Sequence, residues 1–158
     1  MCKFSSDTKA RLGNALIYIA NNASHPSKTS ALKLLYLMEE TMVQEYGTPF
    51  LGLPFEVWSM GPVQKDVYAD ISDGSILLKD YIDVTPGING KGQNIQAKTD
   101  FGEDKFSQLE LLVMHDVLDR FGKMSVEKLV KHLHREKSLW YKIAKSSGML
   151  EAFEKGIS

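Results

Sequence analysis

The chain is nearly without cysteine. Cys2 is its single thiol, so no internal disulfide can form and no cysteine-based metal site can be completed. Long apolar runs are missing as well: none approaches the ~20 residues a membrane-spanning helix needs. The opening MCKFSSDTKARLGN carries no hydrophobic segment of the secretory kind, and a cytoplasmic protein without membrane attachment is expected. Net charge is close to nil, with nineteen basic against twenty acidic side chains giving −1, which removes any global pull towards nucleic acid. Repeats, heptads and long linkers are absent. So are the Gly-x-Ser-x-Gly nucleophile motif and the dinucleotide-binding fingerprint. GINGKG at 87–92 lacks the Gly-Lys-Ser/Thr ending of a phosphate loop, and no helix follows it directly; it reads as a turn.

What is present fits one domain, since 158 residues lie near the usual size of a compact unit. Residues 149–158 are a candidate flexible tail. Charge is unevenly spread. Residues 39–83 hold nine acids and two lysines, a net of −7, whereas residues 123–147 hold seven basic residues and two acids, a net of +5. These are either two solvated faces or a partner surface.

Apolar spacing predicts a helix over 6–22 with Ser6 and Asp7 as capping candidates, and another over about 29–46 whose ALKLLYLM is apolar nearly all round, as in a central helix. PFEVWSM is β-prone. Gly61 then permits a sharp turn, and Pro62 suits the first position of a following helix carrying Val63, Val67 and Ile71. Residues 81–84 and 95–98 read as a hairpin with a mobile tip. Ser107 and Glu110 form the signature of a capping box, and Phe106 is placed to staple onto Leu111. Gly122 ends that helix, and Met124 and Ser125 begin the next, with Val130 and Leu133 inward. A last helix is expected near 138–147. The fold class is α+β, mainly α: a compact helical domain with a short strand, a β-hairpin and a C-terminal helix–turn–helix-like pair.

Little of this suggests chemistry. His132 and His134 point about 200° apart on a helix and cannot share a metal from one face, and the carboxylates form no paired site. No cofactor, no metal and no catalytic residue is expected, and a small-molecule substrate is disfavoured. Lys128, Lys131 and Arg135 recur at i, i+3 and i+7, a stripe that fits phosphate contacts or an ordinary wet face.

Three blocks carry a resemblance. Lys33-Leu34-Leu35-Tyr36 leads to Tyr46-Gly47-Thr48-Pro49; Glu56-Val57-Trp58-Ser59-Met60-Gly61-Pro62-Val63 is followed by Val67-Tyr68; and His134-Arg135-Glu136 precedes Trp140. In this order, across about residues 8–145, they resemble the Panacea domain, the SocA-like antitoxin family that includes phage-associated GepA-like proteins. Leu139 departs from the pattern, standing where a proline often precedes the final tryptophan. The resemblance implies an antitoxin that binds and neutralises a cognate toxin encoded nearby, with no enzyme activity. Its partner-binding candidates are Trp58, Gly61, Pro62, Tyr68, His134, Glu136 and Trp140. Trp58 and Tyr68 have two readings, core fillers around a Gly61-Pro62 corner or a rigid aromatic edge offered to a partner. The alternatives are a DNA-binding autorepressor using Lys128, Lys131 and Arg135, and an adaptor delivering the toxin to a protease.

Overall fold

The computed structural model describes residues 4–58, 61–87, 90–135 and Lys142. Helix α1 spans Ser6–Asn22. Its cap is Ser5, not Ser6 or Asp7: Ser5 has the extended backbone that a cap needs, and its hydroxyl accepts from the Thr8 N–H at 3.1 Å.

Helix α2, Lys28–Thr41, starts behind Pro26 with Ser27 as its cap. It packs against α1 and against every later helix in the described residues, and Leu32, Leu34, Leu35, Leu37 and Met38 are all buried. An all-round apolar helix at the centre of the fold is what its composition implies. A wider π-helical turn, Met42–Tyr46, continues it, and Gly47 closes that turn in the left-handed conformation at φ 69°. The loop beyond is fastened by Glu39, whose carboxylate accepts from the N–H groups of Phe50, Leu51 and Gly52.

The segment after the loop corrects one expectation. Pro62 does not begin a helix. Strand β1, Glu56–Trp58, pairs antiparallel with β2, Gly61–Val63, in the register Glu56↔Val63, Val57↔Pro62, Trp58↔Gly61. Alternate residues of an antiparallel ladder turn their N–H away from the partner strand, so a two-stranded ribbon tolerates proline. Helix α3, Lys65–Ser72, then starts under Gln64, whose side-chain oxygen accepts from the Val67 N–H at 2.8 Å.

Strands β3, Ile82–Pro86, and β4, Gln93–Ala97, form the expected hairpin, with Val84 opposite Ile95. The part of its tip at 88–89 lies outside the described residues. The hairpin is stitched to the lead-in of α2 by a hydrogen bond from the Ile95 N–H to the Pro26 carbonyl at 2.8 Å. A short 3₁₀ turn, Glu103–Lys105, precedes helix α4, Gln108–Phe121, where the Ser107–Glu110 capping box is formed. Phe106 stacks on Phe50 at one end of α4, and at the other the Gly122 carbonyl accepts from the Ser24 N–H at 2.9 Å. Because Phe50 is held at the end of α2 and Ser24 precedes its start, α4 runs antiparallel to α2. Helix α5, Val126–Leu133, is capped by Ser125 and buries Leu129 and Leu133. Val130, expected inward, is half-buried, because the buried pair sits at the i, i+4 spacing of Leu129 and Leu133. Of the helix expected near 138–147, only Lys142 is described, in helical conformation.

Buried side chains from α1 to α5 form one apolar cluster, including Leu16, Leu35, Ile71, Met114 and Leu133. Two ties join α1 to distant parts of the chain. Arg11 pairs with Glu110 and donates to the Phe50 carbonyl at 3.1 Å. Buried Asn14 donates to the Ala10 carbonyl and accepts from the Gly102 N–H at 2.7 Å. The architecture is mainly α with two small antiparallel ribbons.

Candidate interaction surface

The β1–β2 ribbon places Trp58 at a corner against α3. Trp58 and Tyr68 meet edge to face, ring centroids 5.1 Å apart at 65°. Tyr68 packs on the core, whereas Trp58 is half-buried and outside the apolar cluster. The Trp58 Nε1–H donates to Glu56 at 3.1 Å, and Glu56 faces Lys65 at 4.0 Å. Behind Tyr68, the Lys28 ammonium lies 4.0 Å from the ring centroid and donates to the Ser72 hydroxyl at 2.9 Å. That hydroxyl in turn donates to the Tyr68 carbonyl at 2.7 Å. Pro62, within β2, is buried, and Gly61 supplies the backbone pairing with Trp58. Tryptophan is a residue type favoured at interaction hot spots.

The other candidates sit at the end of α5. His134 terminates that helix, its N–H donating to the Val130 carbonyl at 3.0 Å. Arg135 turns back onto the domain. One guanidinium nitrogen donates to the His132 carbonyl at 2.7 Å, and another pairs with the buried Glu40 of α2 at 3.0 Å. Lys128 and Lys131 are exposed, so the three-residue basic stripe keeps two outward charges, and its third serves an internal ion pair. Glu136 and Trp140 lie outside the described residues.

Several structural charges carried no sequence signal. Glu40 is buried, and Lys33 of the Lys-Leu-Leu-Tyr stretch is 2% exposed, with its amine lowered to about 8 by desolvation. His132 rests on the Phe121 ring at 4.5 Å; burial first, then Arg135 and Arg120, lower its pKa to about 4. Among the described residues, no three His, Cys, Asp or Glu side chains gather as a metal site would require, and no helix is long and apolar enough to cross a membrane.

A family model described as the antitoxin SocA-like, Panacea domain matches residues 32–141. The chain belongs to that family. No curated protein and no solved structure matches it. The Panacea match runs from within α2 to past α5, so it contains the Trp58 corner, both ribbons and the Glu40–Arg135 pair. A Panacea-domain chain fits an antitoxin-type, non-catalytic role.

Proposed function

We propose that this protein is the antitoxin of a two-component toxin–antitoxin pair, and that it neutralises a cognate toxin encoded beside it by direct contact, without catalysis or cofactor. Membership of the Panacea family carries the reading. The Trp58 corner supports it as a contact point: a half-buried tryptophan already in contact with Glu56 and Tyr68 has less side-chain freedom to lose on binding than a fully exposed one. Gly61 and Pro62 act through the ribbon that presents it, and Tyr68 through the face-to-edge contact. His134, Glu136 and Trp140 are proposed as a second contact region. The DNA-binding alternative has less support, because Arg135 is engaged with Glu40.

The test is growth of cells expressing the product of each adjacent reading frame, with and without this protein, followed by co-purification. Toxicity relieved in a stable complex supports direct neutralisation. Relief accompanied by loss of the toxin points to the adaptor route instead. Two harmless neighbours would sink the antitoxin reading.

A further inference from the structure

A cleft of about 530 Å³ lies where the start of α2 faces the end of the β3–β4 hairpin, beside the first residue of α5. Its volume is that of a binding pocket, and its walls have a consistent chemistry. Lys28, Lys91 and His25 supply basic groups, and Ser24, Thr29 and Asn94 supply hydroxyl and amide groups. Among the described residues, no carboxylate lines it. Among the described residues, Arg11, Lys65, Lys98, Arg120 and Arg135 each face an acid. Neither Lys28 nor Lys91 does so among the described residues. The first-turn N–H groups of α2, on Lys28 and Thr29, have no carbonyl partner within the helix.

Position connects this cleft to the proposed contact. Lys28 lines it and also lies over the Tyr68 ring that supports Trp58, so cleft and aromatic corner share one side chain. We propose that the cleft receives a carboxylate-bearing segment of the toxin, an acidic residue entering between Lys28 and Lys91 while a neighbouring apolar residue meets Trp58. This rests on the antitoxin reading and deepens it by assigning the charge of the partner surface. A peptide suits the walls better than a nucleic acid does. Side-chain amides and hydroxyls match a peptide backbone, and among the described residues no Phe, Tyr or Trp lines the cleft to stack a base.

The decisive experiment titrates the full-length ¹⁵N-labelled chain with hexaglutamate at low salt and follows its amide resonances. Saturable shifts are expected at Lys28, Thr29 and Asn94, with affinity at least tenfold lower in a K28Q/K91Q variant and unchanged in K128Q/K131Q, which removes the same charge from α5. If K28Q/K91Q loses its folded spectrum, K91Q alone tests the point, with a loss of about threefold expected. Absence of shifts overturns the proposal, as does an equal loss in the α5 variant, which would mean unspecific charge attraction. Displacement of hexaglutamate by equimolar inorganic phosphate would make the cleft a small-anion site, and binding of hexaadenylate in preference would make it a nucleic-acid site; either result overturns the peptide assignment. Growth rescue is scored separately, so a failed antitoxin reading with intact hexaglutamate binding is distinguishable from a failed cleft.

Discussion

Lys33 stands in a costly position for a charged residue. Its side chain sits in the middle of the central helix, and desolvation lowers its amine from 10.5 to about 8. Between about pH 8 and 10.5 the unfolded chain holds a proton that the folded chain has released, so this residue makes stability rise with pH across that window; below it the full cost, on the order of 3 kcal/mol, is present. Lys33→Met is therefore expected to raise stability by about 1–3 kcal/mol at pH 7, with the gain shrinking as denaturation is repeated towards pH 10. His132 acts at the other end of the scale. Its folded pKa of about 4 lies below the ordinary 6.5, so stability is expected to fall as pH drops from 6.5 to 4, and a His132→Gln variant should show a shallower acid slope. Arg135→Ala should cost about 2 kcal/mol in urea denaturation, because it takes a guanidinium partner away from the buried Glu40 carboxylate. The value sits below the ~3–5 of a fully buried pair because Arg135 keeps partial contact with water. Lys131→Ala, on the exposed face, should change stability by under about 0.5 kcal/mol.

Elements differ in how much of them the local sequence determines. The α4 cap was legible because every participant lies within four residues: Ser107 accepts from the Glu110 N–H, and Glu110 accepts from the Ser107 N–H. Ser107→Ala is expected to lower stability by about 1 kcal/mol, measured by thermal unfolding. The β3–β4 hairpin and the all-round burial of α2 were legible for a similar reason, one through its turn residues and the other through its apolar circumference. The β1–β2 ribbon was not. Gly-Pro followed by a helical pattern fits either a helix start or a short paired strand, and the choice depends on Glu56 meeting Val63 across the turn. The acidic block at 39–83 was misleading in a comparable way, since Glu39 fastens a loop, Glu40 is internal, and Asp70 accepts from Ser75, Ile76 and Leu77. Of the candidate site, Trp58 and Tyr68 were visible as residue types, but Lys28 joined them only through folding. Close approach of elements is equally hidden: a methyl group added at Gly13 of α1 would overlap the Tyr81 ring. Gly13→Ala should cost about 1–3 kcal/mol, read as a lowered urea midpoint.

At the scale of the whole molecule, the residues that carry stability are not the ones proposed for partner recognition. The core runs through α1, α2 and α4, whereas Trp58 stands outside it. Trp58→Ala is accordingly expected to lower affinity for the toxin by about 30-fold or more, read by calorimetry on the co-purified pair, while lowering folding stability by less than about 2 kcal/mol. A matched loss in both would make Trp58 a packing residue. The ties from α1 to the far part of the chain also set an order in time. Arg11 and Asn14 meet Glu110 and Gly102, so the first helix cannot finish packing until those residues have left the ribosome. At about 5–20 residues per second, Leu12, Leu16 and Ile19 wait roughly 5–20 s for their later neighbours. Until then the part of α1 that carries Arg11 and Asn14 lacks its later neighbours, and slower translation towards residue 110 is expected to leave the nascent helix open to chaperones and proteases for longer.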